Sequence, residues 1–128
     1  MTWSWPERPR RVVVTGMGAV TSLGQDVAST WDGLVAGRSG VAPITLFDAS
    51  RVSVKIAAEV KDFDPSGVLD RKEMRRTDRY IQFALVTARQ ALLHAGLPGR
   101  LDEAMAARTG VIVGSGLGGV ATLFDNVL

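Results

Sequence analysis

Hydrophobic and polar positions along the chain switch between a strand-like run and a helical period, and each switch marks an element. Arg11-Val12-Val13-Val14-Thr15 is a β-branched run that reads as a buried strand, ended by the turn-forming Gly16 and Gly18. A helix is predicted from about Asp26 to Ala36, capped by Asp26 and stopped by Gly37, and Arg38 to Pro43 reads as loop. Ile56 to Val60 is a second strand candidate, broken by Asp62, Asp64, Pro65, Ser66 and Gly67. The clearest element is helical, from Asp70 to Ala95. Asp70 and Glu73 have the spacing of a capping box, and Ile81, Ala84, Leu85, Ala88, Leu92 and Ala95 form one apolar stripe. Thr77-Asp78 can restart the helix, so two helices are an open alternative, and Gly96 and Pro98 end it. A short helix over Asp102 to Ala107, a third strand over Thr109 to Val113, a glycine-rich turn and a new helical pattern from Val120 follow. Strands alternating with helices predict an α/β fold. Three strands are few for a whole sheet, and the last helical pattern runs to Leu128 without a cap, so the chain is expected to be incomplete.

Composition narrows the classes. Apolar residues make up 46% and charged residues 22%, which is ordinary globular usage rather than disorder or a fibrous repeat. No apolar run approaches the roughly 18 residues of a membrane span, and Met1 to Arg11 has no signal-like apolar stretch, so a cytoplasmic protein with no membrane partner is expected. Residues 1–10 read as a lead-in to the first strand. Cysteine is absent, which excludes disulfides, thiolate metal sites and a thiol nucleophile within these 128 residues. No metal site and no cofactor are expected. The formal charge of +2 is too weak to argue for nucleic acid, so any electrostatic argument must be local.

One such local feature is Arg71, Lys72, Arg75, Arg76 and Arg79. At about 100° per residue on a single helix they fall within an arc of roughly 140°, with Asp70, Glu73 and Asp78 outside it or at its edge. A stripe of this kind suits an acidic partner, because clustered charge steers encounter; a plain solvated helix face is the competing reading. The sole histidine, His94, lies off the apolar stripe and reads as solvated or partly packed.

Gly114-Ser115-Gly116-Leu117-Gly118-Gly119 matches G-x-G-x-x-G after a predicted strand. Such a loop would bring a pyrophosphate to a helix N-terminus, but the fingerprint normally sits at the first strand and requires an acidic residue about 20 positions later. A glycine turn that lets two backbones pack closely is the competing reading. The first loop, Gly16-Met17-Gly18-Ala19-Val20-Thr21, has threonine where a third glycine belongs. Leu117 is an apolar side chain in an otherwise nearly bare loop, so something must cover it, and simple core packing is one answer.

Several of these segments together resemble a known family. Arg11 to Gly24 (RVVVTGMGAVTSLG) is similar to the first strand and turn of type II β-ketoacyl-[acyl-carrier-protein] synthases. Trp31, Leu34 to Gly40 (LVAGRSG), Phe47-Asp48, Val60-Lys61-Asp62-Phe63, Arg71-Lys72-Glu73, Asp78, Ile81-Gln82, Ala95-Gly96-Leu97 and Gly114 to Gly119 continue the likeness in order. Ordered short motifs over almost the whole chain are more specific than one glycine loop.

The resemblance implies the N-terminal part of a thiolase-like layered α/β/α/β/α fold, with residues 11–128 an incomplete N-terminal domain of a homodimeric enzyme. It implies elongation of an acyl thioester with malonyl-[acyl carrier protein] and loss of CO₂. The family uses a cysteine nucleophile and two histidines that assist decarboxylation and stabilise the developing enolate. All three are expected C-terminal to Leu128, so no catalytic residue is assigned here and this chain alone is expected to be inactive. Two sites carry over by resemblance: Gly116 and Leu117 beside the acyl pocket, with Leu117 as a gate on acyl length, and Lys72, Arg75 and Arg76 as the dock for the acidic acyl carrier protein. A polyketide ketosynthase or its chain-length partner, of the same fold, and a small nucleotide-binding module are the alternatives.

Overall fold

A computed structural model describes residues 11–127; the predicted lead-in, residues 1–10, lies outside them. Helix α1 spans Val27–Val35. The Asp26 carboxylate accepts the Ser29 N–H at 2.7 Å, and Gly37 leaves the helix with φ +64°, so both predicted ends are met. Strands β1 (Ala42–Pro43) and β2 (Ile56–Ala57) pair antiparallel, Ala42 opposite Ala57 and Pro43 opposite Ile56. The intervening loop holds a 3₁₀ turn, Ala49–Arg51, capped by Asp48.

The long helical stretch divides in two: α2 covers Arg71–Arg76 and α3 covers Arg79–His94. Thr77 and Asp78 are extended between them. The break is chemically sealed. The Gln82 side-chain amide donates to the Met74 and Thr77 carbonyls, each at 2.9 Å, supplying partners to carbonyls that α2 leaves free. Asp70 and Glu73 form the predicted capping box of α2. Helix α4 (Glu103–Ala106) is capped by Asp102, and α5 spans Val120–Val127.

The strand expectations are corrected. Among the described residues the only sheet is the β1–β2 pair. Ile56 to Val60 contributes just its first two residues, and the predicted loop Arg38 to Pro43 supplies their partner. The runs at Arg11 to Thr15 and Thr109 to Val113 enter no ladder. β-branched sequence marks a residue as suited to a sheet, but a ladder requires a neighbouring strand, and neither run has one here. Val12 and Ile112 are accordingly 89% and 99% exposed.

Packing is sparse for the mass. The accessible surface is 11021 Å², against roughly 6,600 Å² for a compact protein of this size by the usual scaling. Leu69 is the one hydrophobic residue counted as buried among the described residues. The chain is organised around α3 rather than around a closed core. Among the described residues no helix is long and apolar enough to cross a membrane.

Candidate functional site

Both glycine loops lie against α3. Gly16 and Gly18 sit where a β-carbon would strike the helix: at Gly16 it would come within 2.8 Å of the Ala95 nitrogen, and at Gly18 within 2.9 Å of the Gln90 β-carbon. Close backbone approach is therefore the reason for glycine in the first loop. Two helix side chains then hold that loop: His94 Nδ1 accepts the Met17 N–H at 3.1 Å, and Gln90 Oε1 accepts the Ala19 N–H at 2.9 Å. Gln90 also donates to the Gln25 carbonyl at 2.6 Å. His94 thus has a structural partner 77 residues away, which helical periodicity could not reveal.

Between the first loop, α3 and residues 111–115 runs a groove of about 800 Å³, floored by Phe83, Ala84, Thr87 and Ala88 and walled by Val111 and Val113. The bend Gly116–Gly119 follows the lining residue Ser115 in sequence. Leu117 stands on that bend 86% exposed, and Gly116 is exposed beside it, so the core-packing reading of Leu117 fails within the described residues. The bend is tied at both ends. Ser115 Oγ accepts the Gly118 N–H at 3.0 Å, and Thr122, in the first turn of α5, donates its hydroxyl to the Asp78 carboxylate.

Lys72, Arg75 and Arg76 are all exposed on α2, with Arg71 beside them. Arg79 is a correction to the predicted stripe. The break at Thr77-Asp78 moves it to α3, where its guanidinium lies 5.6 Å from the centre of Phe63 and 5.0 Å from that of Phe83. It also donates to the Val60 carbonyl at 2.6 Å. Arg79, although exposed, is engaged by the two rings and the Val60 carbonyl, and the basic face of α2 itself consists of its four cations.

Nearby, Glu59 is the buried acid of the described chain. Its carboxylate accepts the Thr45 hydroxyl at 2.6 Å, the Thr45 N–H at 2.9 Å and the Leu46 N–H at 3.1 Å. These bonds, the Thr45 hydroxyl foremost, hold its pKa below the ordinary value. Among the described residues no cluster of three or more His, Cys, Asp or Glu side chains is arranged to hold a metal. The glycine bend meets the start of α3 at Asp78, two residues after α2 ends.

Residues 9–126 match the family described as "Beta-ketoacyl synthase, N-terminal domain". The chain is 52% identical over 117 residues to the 3-oxoacyl-[acyl-carrier-protein] synthase 2 of Coxiella burnetii (strain RSA 493 / Nine Mile phase I), covering 91% of this chain and 28% of that protein. It is 46% identical over 116 residues to the protein of the same name from Synechocystis sp. (strain ATCC 27184 / PCC 6803 / Kazusa), covering 91% and 27%. Among solved structures it is similar to the ishigamide ketosynthase/chain length factor, with a TM-score of 0.63 and 42% identity over 70% of this chain and 22% of that one. The chain therefore spans little more than a quarter of the length of the relatives it matches.

Proposed function

Since the chain belongs to the β-ketoacyl synthase family through that family's N-terminal domain, we propose that it forms the first part of a condensing enzyme that elongates acyl chains on an acyl carrier protein. The observation that carries this reading is identity of 52% to a 3-oxoacyl-[acyl-carrier-protein] synthase 2 along 91% of the chain. The exposed runs at Val12 to Val14 and Val111 to Val113 support the finer expectation of a layered thiolase-like fold, because each is suited to a sheet and unpaired. A cytoplasmic homodimer is part of the same proposal.

The chemistry requires an acyl group held as a thioester on a cysteine, and these 128 residues contain no cysteine. The nucleophile and the two assisting histidines are therefore assigned outside them. Loss of CO₂ from malonyl thioester leaves the bond's electron pair as an enolate. Its carbon attacks the acyl carbonyl, a carbon–carbon bond forms, and the cysteine thiolate departs. To that reaction this chain contributes recognition. Lys72, Arg75 and Arg76 attract the acidic carrier protein, and Gly116 and Leu117 border the acyl chain, with Leu117 limiting its length.

The test is a chimera in which residues 9–126 replace the matched segment of the Coxiella burnetii relative. Condensation of acyl and malonyl thioesters on carrier protein is expected. A soluble, folded chimera with no condensation would refute the reading. The likeness to a ketosynthase/chain length factor at 42% identity favours one alternative, a polyketide role on the same fold. Formation of products extended repeatedly without reduction, by the same chimera, would favour it.

A further inference from the structure

Asp78 occupies the N-cap position of α3, yet its side chain makes no capping bond to that helix. Aspartate is among the best residues for that task, and Asp26, Asp70 and Asp102 all perform it elsewhere in this chain. The Asp78 carboxylate instead accepts the hydroxyl of Thr122 in α5. It also closes on the glycine bend: a β-carbon at Gly119 would collide with the carboxylate. One position earlier, Gly118 takes φ +63° with its face toward the Tyr80 ring, 3.6 Å from where a β-carbon would stand. The far end of the bend rests on the first turn of α3, and the near end is closed by Ser115.

Leu117 lies between those two anchors with its side chain 86% exposed. Packing around the side chain does not aim it, so the backbone of the bend does. We propose that Asp78 is a positioning residue for acyl-length selection, acting through Thr122 and Gly119 to fix the posture of the bend that carries Leu117. The inference rests on the reading of Leu117 as the length-limiting residue.

The experiment measures kcat/KM for a long and a short acyl thioester in the same chimera. Asp78→Ala and Thr122→Val are each expected to flatten the ratio by about threefold or more, the scale of losing one exposed hydrogen bond to a charged group. The double variant should do no more than the larger single change, and Thr122→Ser should retain the parent ratio. A purely structural role would lower both substrates equally and leave the ratio unmoved, which overturns the inference. If Asp78→Ala does not fold, Thr122→Val alone decides. Leu117→Phe is run alongside. If it moves the ratio while Thr122→Val and Asp78→Ala do not, the length-limiting reading stands and the role of Asp78 falls. If Leu117→Phe itself leaves the ratio unchanged, both fall.

Discussion

The guanidinium of Arg79 lies over the ring of Phe83, 5.0 Å from its centre, and the same side chain reaches back to the Val60 carbonyl. Phe63 meets Phe83 edge-on at 4.7 Å, so one cation and two rings pin the segment leading into α2 against α3. Arg79→Ala removes the stacking and a charged hydrogen bond together, about 1–2 kcal/mol at a partly exposed site. In the chimera this is expected to lower the thermal midpoint by a few degrees. Arg79→Lys keeps the charge without the planar face and should recover only part of the loss. A midpoint unchanged in both variants would show that the contact contributes nothing.

Arg75 and Arg76 are exposed on α2, whereas Arg79, also exposed, is bonded to the Val60 carbonyl and stacked on Phe83. If they dock the carrier protein, Arg75→Glu with Arg76→Glu should raise KM for carrier-bound substrate by roughly tenfold at low salt. The penalty should shrink as salt screens the surface. A carrier-free thioester is the control: an equal rise in its KM would refute docking as the cause.

Leu117→Phe adds bulk at the tip of the bend. Rejection of a longer chain by added volume is worth roughly tenfold or more in kcat/KM, so the preference should move toward shorter acyl groups. Product-length analysis by mass spectrometry reads this directly, and an unaltered distribution counts against the gate.

Much of the local structure was legible in residue order because its causes are local. Asp26, Asp70 with Glu73, and Asp102 each cap within three residues, and Gly37 and Gly96 each terminate a helix through a positive φ of their own. The α2–α3 break was half-visible in Thr77-Asp78, but the Gln82 amide that seals it was not. Long-range partners left no periodic trace: Met17 with His94, Ala19 with Gln90, and Asp78 with Thr122 are 77, 71 and 44 residues apart. Arg79 falls in the basic stripe of the sequence reading because the angular count assumes one unbroken helix, whereas the structure breaks it at Thr77-Asp78. The strand runs were recognised from their side chains, but whether a run joins a ladder depends on a neighbour that side-chain pattern does not encode. For the proposed site, the ordered motifs single out Leu117 and the α2 cations by resemblance, whereas the contact of Asp78 with Thr122 is visible only in the structure.

Glu59 supplies a pH dependence with a definite sign. Its folded pKa lies below the ordinary 4.5, chiefly because the carboxylate accepts the Thr45 hydroxyl and backbone N–H. A depressed carboxylate stabilises the fold at pH above its unfolded value, and that contribution disappears as pH falls through the folded value. Glu59→Gln should therefore destabilise the chimera at neutral pH, and the gap in thermal midpoint should close below about pH 4.5. Thr45→Val should reproduce part of the neutral-pH loss. A gap that persists unchanged into acid would mean that the bonds serve the neutral side chain equally well.

The isolated 128-residue chain provides the last prediction. Its accessible surface exceeds the compact expectation by well over half, and Val12, Val14, Val111, Ile112 and Leu117 are each more than 80% exposed. Apolar area of that extent in contact with water costs roughly 25 cal/mol per Å², so the chain is expected to reduce it by association. Light scattering should show self-association at micromolar concentration, a hydrophobic dye should bind strongly, and urea should unfold the chain without a sharp transition. With no thiol present, the chain should also form no acyl-enzyme and release no CO₂ from malonyl thioester. In the chimera the same apolar runs should be covered, so dye binding should fall and a cooperative transition should appear. A monomeric isolated chain with a sharp transition and little dye binding would mean that these segments find partners within the chain itself, and the reading of this domain as one part of a larger condensing scaffold would lose its physical basis.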